Sequence, residues 1–210
     1  MSEEPTNEHI KLYDGIAAWY VETYYNDMSD GEWLDVFCAA ISTGSTIADV
    51  GCGPGQYARY FRLKGFEVFS VDISSEMLRV GKALDPQLRP VLSDINQLPF
   101  EGGSLDGLLI AYTLEHVKSE EIDEIVLELS RCLKPSGVIA LMVKCGTGRY
   151  RFESSVLPGT GGFVQLWEPR GLSSIFEKHG FSTLMIRKKP PVLREEFLHE
   201  RGYVLLRKNG

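Results

Sequence analysis

No apolar run in the 210-residue chain approaches the ~20 residues a bilayer-spanning helix requires. The start, MSEEPTNEHIKLYDG, is polar and acidic and lacks the basic flank and apolar stretch of a secretory leader, so the expected address is cytoplasmic, with no membrane contact. Basic charge is in deficit as well. With 22 Lys and Arg against 29 Asp and Glu, the formal net charge of −7 disfavours a protein that grips nucleic acid through many phosphate contacts. Cysteine pairing is also missing. Cys38, Cys52, Cys132 and Cys145 stand far apart, with no C-x-x-C pair and no His spacing suited to zinc, so they read as free thiols and no metal site is expected. Repeats and low-complexity tracts are absent too.

What remains is an ordinary globular composition, 43% hydrophobic and 24% charged, over a length that suits one compact domain. Residues 1–45 read as a helical N-terminal cap. One helix over 10–26 carries Ile10, Tyr13, Ala17 and Tyr20 as an apolar stripe, and a second, GEWLDVFCAAIS, follows. Over 46–144 the pattern becomes strand then helix, repeatedly. STIADV, FEVFSVD, RPVLSD, LDGLLIAYT and GVIALMVK are strand-like, and QYARYFRLKG, SSEMLRVGKAL and SEEIDEIVLELSRCLKPSG are helical, an alternation that predicts a parallel sheet with right-handed crossovers. Residues 145–167 carry five glycines and a proline and read as a long functional loop or insertion. A helix, PRGLSSIFEKHG, and two strands that pair antiparallel complete 168–210.

The stretch IADVGCGPGQYARYF places a glycine-rich turn between a buried strand and a helix, where backbone can approach a ligand closely. A dinucleotide fingerprint needs its third glycine where Gln56 stands; here the glycines are Gly51, Gly53 and Gly55. Asp49, two residues before the first of them, would repel a pyrophosphate and favour a ligand carrying an ammonium or sulfonium group. Asp72 ends the next strand about twenty residues on, where a carboxylate accepts from ribose hydroxyls. The residues therefore indicate a ribose-bearing ligand without a diphosphate, and they disfavour a nicotinamide oxidoreductase.

Four stretches in order, DVGCGPGQYARYF, VFSVDIS, LSDINQLPFEGGSLDGLLIAYTLEHV and LSRCLKPSGVIALMV, resemble the successive motifs of class I S-adenosylmethionine-dependent methyltransferases of small-molecule type. The resemblance implies a Rossmann-like seven-stranded mixed sheet, its last strand antiparallel, with helices on both faces. It places Asp49, Gly51, Cys52 and Gly53 around the methionine portion of S-adenosylmethionine, Asp72 on the ribose, Ile73, Asp94 and Ile95 at the adenine, and the Ala111 carbonyl at the methionine ammonium. The acceptor would lie beyond, against Tyr112 and His116. TLEHV also resembles ubiquinone-type O-methyltransferases, some with a Glu-x-x-Glu-His metal site, but Tyr112 replaces the first Glu and the metal reading falls.

Methyl displacement needs alignment and exclusion of water, and a base only where the acceptor carries a proton. His116 is the candidate base, the alternative being a structural histidine at a helix entrance. Tyr13 and Tyr20, with Trp19, Tyr24 and Tyr25, either close over the cofactor or form helix core. Arg149 and Arg151 either pair with an anionic substrate or stand in solvent. The expected partner is a small-molecule methyl acceptor, with the chain a monomer or homodimer. A protein or tRNA acceptor, or a catalytically silent cofactor-binding module, are the alternatives.

Overall fold

The computed structural model describes residues 5–191 and 199–210. In chain order the elements are α1 (Pro5–Tyr24), α2 (Gly31–Ala39), β1 (Thr46–Val50), α3 (Gln56–Leu63), β2 (Glu67–Asp72), α4 (Ser75–Leu84), β3 (Pro90–Leu92) and β4 (Leu105–Ala111). There follow α5 (Ile122–Cys132), β5 (Leu133–Lys144), β6 (Arg149–Glu153), β7 (Gly161–Gln165), α6 (Pro169–Lys178), β8 (Phe181–Lys189) and β9 (Arg201–Lys208). The polar connection expected between the last two strands lies largely at 192–198, outside the described residues.

Seven strands form one sheet in the order β3-β2-β1-β4-β5-β9-β8. The first five run parallel, and β9 inserts antiparallel between β5 and β8. This is the mixed sheet the sequence motifs imply. Period-2 alternation makes it a buried middle layer. On β5, Ile139, Leu141 and Val143 face a cluster built with Ile125 and Leu129 of α5 and Leu172 and Phe176 of α6. Val138, Ala140 and Met142 face the opposite cluster, with Trp33, Leu34 and Phe37 of α2 and Tyr57 and Phe61 of α3. So α2 is part of the layer against the sheet, and of the two N-terminal helices it is α1 that reaches over the strand ends.

Local chemistry sets the helix boundaries. Ser74 caps α4 by accepting from Met77 N at 3.1 Å, as its position before the helix predicts, and Pro169 opens α6 at a position where a missing N–H costs nothing. The segment over 145–167 is not a loop. β6 and β7 pair antiparallel as a separate two-stranded hairpin, with Arg149 opposite Gln165 and Glu153 opposite Gly161. Its side chains alternate across the pair, and Phe152 and Leu157 pack on Leu12, Ile16 and Met77, so α1 and the hairpin brace each other. An Arg151–Glu8 ion pair at 2.9 Å joins them at the surface.

Candidate functional site

The strand order reverses direction between β1 and β4, and in open α/β sheets ligands bind beyond the strand ends at such a point. The turn after β1 and the turn after β4 meet there. Gly51 has φ +72°, and a Cβ on it would lie 2.0 Å from Thr113 Oγ1, so only glycine fits. Thr113 Oγ1 donates to the Val50 carbonyl at 2.9 Å and ties the two turns together. Gly51 N and Cys52 N both donate to the Val71 carbonyl, at 2.8 and 3.0 Å. Asp72 completes the cradle, accepting from Gly53 N at 2.7 Å and from Ser74 N at 2.8 Å.

Burial pushes the Asp72 carboxyl up from the usual range, and the backbone N–H groups of Ser74 and Gly53 pull it part of the way back. Asp49 has no such help. It is 1% exposed, its Oδ2 has no partner among the described residues, and burial, followed by repulsion from Asp72, pushes it up to about 8.

A cavity of about 770 Å³ opens over this cradle. Of the residues singled out in the sequence, Tyr13, Tyr20, Gly51, Gly53, Asp72, Ile73, Asp94, Ile95, Ala111, Tyr112 and His116 line it, while Asp49 and Cys52 lie behind the wall. Asp94 Oδ1 is held by Asn96 N at 2.9 Å and Asn96 Nδ2 at 2.7 Å, which fixes the turn after β3. Cys52 is buried with Sγ 3.3 Å from the Gly53 carbonyl, and burial raises its thiol well above the ordinary value, so it is not a reactive thiolate. Trp19 and Tyr24 line the cavity; Tyr25 does not. Arg149 pairs with Glu120 at 3.6 Å and Arg151 with Glu8, both outside the cavity wall.

At one end of the cavity, side chains from distant segments converge. The Tyr13 hydroxyl lies 2.8 Å from His116 Nε2, and the His9 ring sits 4.5 Å from the His116 ring, centroid to centroid. His9 is fixed in turn by the Phe163 backbone, its Nε2 3.2 Å from the carbonyl and 3.3 Å from the N–H. Burial, then the neighbouring His9 and Lys144 charges, holds His116 well below the usual histidine value, so the ring is neutral at pH 7. Beside it, Glu115 is 2% exposed and takes both Lys144 Nζ and Lys144 N at 3.0 Å.

Tyr112 adopts φ +58°, an uncommon conformation for a bulky residue. It is held there by its hydroxyl, which donates to Asp30 Oδ2 at 2.9 Å. Asp30 is in turn paired with the fully buried Arg201 at 2.8 Å. His9, Asp30, Thr113 and Lys144 were not identified from the sequence. His9 stands in a polar N-terminal stretch, and Lys144 reads only as the end of a strand; the Thr113 and Asp30 contacts span 63 and 82 residues, and no local pattern signals them.

Residues 48–141 match a family described as the methyltransferase domain. Among curated proteins, a malonyl-[acyl-carrier protein] O-methyltransferase of Enterobacter lignolyticus is 34% identical over 94 residues, covering 45% of this chain and 37% of the relative. A demethylmenaquinone methyltransferase of Renibacterium salmoninarum is 29% identical over 141 residues, covering 64% and 58%. The chain thus spans less than two thirds of the length of these relatives. Among solved structures, a SAM-dependent methyltransferase of Methanosarcina mazei superposes with a TM-score of 0.76 at 18% identity, over 83% of this chain and 97% of that one. The 1,6-didemethyltoxoflavin-N1-methyltransferase of Burkholderia thailandensis, solved with its substrate and S-adenosylhomocysteine, gives 0.75 at 16% identity, over 100% and 92%. At such identities the likeness is one of fold.

Proposed function

We propose that the protein, whose residues 48–141 match a methyltransferase domain, transfers the methyl group of S-adenosylmethionine to an oxygen, nitrogen or carbon of a small molecule and releases S-adenosylhomocysteine. One observation carries the reading. One cavity joins a wall made by Asp72, Ile73, Asp94 and Ile95 to a region lined by Tyr13, His116 and Lys144. Its size, about 770 Å³, suits a cofactor and a small acceptor together.

The donor set fits the cofactor. Asp72 and Asp94 line the cavity without a cationic side-chain partner among the described residues, whereas Lys118 and Lys144 are paired with Glu121 and Glu115. That balance favours a cationic ligand over a pyrophosphate. In this reading Asp72 takes the ribose hydroxyls, Ile73 and Ile95 pack against the adenine, and Asp94 accepts from its amino group; all four line the cavity. In the same reading the glycine turn and the Ala111 carbonyl meet the methionine portion. Bound there, the sulfonium supplies an activated methyl carbon; the protein's own share is alignment and the exclusion of water. α1 and the β6–β7 hairpin contribute residues to the cavity wall, and an acceptor site recessed beside them supports a small molecule over a folded protein or tRNA. His116 is neutral at pH 7 and so free to receive a proton where the acceptor carries one, although its burial makes it a weaker base than an exposed imidazole.

The test is incubation with methyl-labelled S-adenosylmethionine and three acceptor pools: a small-molecule panel of phenols, amines and nitrogen heterocycles, purified tRNA, and unfractionated protein. Label in the small-molecule pool supports the reading. Label in tRNA or protein alone overturns the acceptor class, and S-adenosylhomocysteine binding with no transfer to any pool would favour a silent module.

A further inference from the structure

The proposed reaction leaves open how a proton leaves the acceptor, and the region lined by Tyr13, His116 and Lys144 is built in a way that bears on it. His116 lines the cavity, yet its Nδ1 is buried and makes no hydrogen bond among the described residues. Its other nitrogen, Nε2, is occupied by the Tyr13 hydroxyl at 2.8 Å, a contact between residues 103 apart in the chain. A proton released in the cavity therefore reaches the imidazole through Nε2, and Tyr13 stands at that nitrogen.

We propose that Tyr13 and His116 form a proton relay. The Tyr13 hydroxyl donates to the Nε2 lone pair of a neutral His116 protonated on Nδ1, and takes up the acceptor's proton while passing its own to the imidazole. This rests on the methyl-transfer reading above. It assigns the reaction to acceptors whose methylated oxygen or nitrogen carries a proton, as in a phenol, alcohol or N–H heterocycle. The balance closes: the acceptor's O–H or N–H bond breaks as its new bond to the methyl carbon forms, Tyr13 gains that proton and loses its own, and His116 becomes an imidazolium. The positive charge lost from the methyl donor is thus recovered on the ring and later released to solvent as a proton.

The surroundings favour this direction of donation. Nδ1, buried and without a hydrogen bond among the described residues, is the ring nitrogen left to carry the proton once Nε2 faces the Tyr13 hydroxyl at 2.8 Å. His9 lies against the His116 ring at 4.5 Å, is held by the Phe163 backbone, and is itself shifted below the ordinary value, mainly by burial. The hairpin is pressed onto this histidine closely enough that a Cβ on Gly162 would lie 2.5 Å from His9 Nε2. His9 is thus a positioning residue that keeps the His116 ring in register with Tyr13. The remaining titratable groups around His116 are Glu115 on its own turn and Lys144 at the end of β5, which form an ion pair whose Lys144 charge still weighs against an imidazolium. Tyr13 belongs to α1 and His116 to the turn after β4, so the relay is assembled only when the cap covers the cavity.

The test reads the tautomer directly. The full chain, labelled with nitrogen-15 at its four histidines, is examined by NMR with saturating S-adenosylhomocysteine, and signals are assigned by comparison with His9→Gln and His116→Gln. Should His116→Gln fail to fold, Tyr13→Phe makes the assignment by the shift it causes. The relay predicts an unprotonated Nε2 and a protonated Nδ1 on His116 at pH 7, and a displacement of the Nε2 resonance toward that of a bare ring nitrogen in Tyr13→Phe. An Nε2 that carries the proton and donates to Tyr13 overturns the relay, as does an Nε2 resonance unchanged by Tyr13→Phe. Calorimetric binding of S-adenosylhomocysteine to the same samples separates the two levels: binding with the wrong tautomer defeats the relay alone, and no binding defeats the methyl-transfer reading beneath it.

Discussion

Replacing Asp72 with alanine removes one acceptor from two backbone donors at once. Gly53 N at 2.7 Å and Ser74 N at 2.8 Å both lose their partner. The Ser74 contact is buried, and leaving such a donor unmet costs about 1–3 kcal/mol; Gly53 faces the cavity, where water can replace the carboxylate, so the expected total loss of stability is about 2 kcal/mol. Affinity for S-adenosylhomocysteine should fall by a further ~1–3 kcal/mol, roughly 5- to 150-fold, because the acceptor proposed for the ribose is gone and the glycine turn is no longer pinned to β2. Asp72→Asn separates the two effects. Its amide keeps one oxygen but turns an N–H group against one of the two donors, so it should recover part of the stability and little of the affinity. Titration calorimetry measures binding and urea unfolding measures stability. An Asp72→Ala protein that is folded and binds with unchanged affinity would refute the placement of Asp72 at the ligand.

Three further outcomes follow from the same geometry. Asp30→Ala leaves Arg201, only 2% exposed, without its paired carboxylate and frees the Tyr112 hydroxyl; unfolding in urea should show a loss of about 3–5 kcal/mol, and a loss below 1 would contradict the buried pair. Gly51→Ala forces a Cβ into Thr113 Oγ1 at φ +72°, and should destabilise by about 2–4 kcal/mol in the same assay, with a neutral effect contradicting the close approach. Asp49 titrates near 3.8 when unfolded and near 8 in the fold, so the native state keeps a proton that the unfolded chain has released, and this contribution to stability declines as pH rises from about 4 to 8. Asp49→Asn should therefore flatten the pH dependence by about 1–3 kcal/mol between pH 5 and 8, and an unaltered slope would show that the carboxyl is ionised in the fold.

The strand and helix alternation over 46–144 was legible because each segment announces itself locally. Fully buried strands read as apolar runs, as at GVIALMVK, and Ser74 marks the start of α4 through a bond three residues away. The hairpin was not legible. Arg149–Glu153 alternates charge with aromatics over only five residues, and β7 opens on two glycines, so the strand signal is short on both sides; the hairpin forms where Phe152 and Leu157 find α1, far away in sequence. The cavity wall divides in the same way. Asp72, Ile73, Asp94 and Ile95 sit at fixed places after strands and follow from the motif order, whereas His9, Lys144 and the Asp30–Arg201 pair depend on contacts between distant segments. Tyr13 falls between the two: the helical stripe brought it to notice, but its bond to His116 required the cap to fold over the strand ends.

The central claim is that the cradle formed by Gly51, Gly53 and Asp72 holds a methyl donor rather than a nicotinamide dinucleotide. Titration calorimetry of the full chain with S-adenosylhomocysteine and, in parallel, with NADH tests it most directly. The account predicts one-to-one binding of S-adenosylhomocysteine and no heat of binding with NADH. Saturable binding of NADH without any of S-adenosylhomocysteine would contradict it.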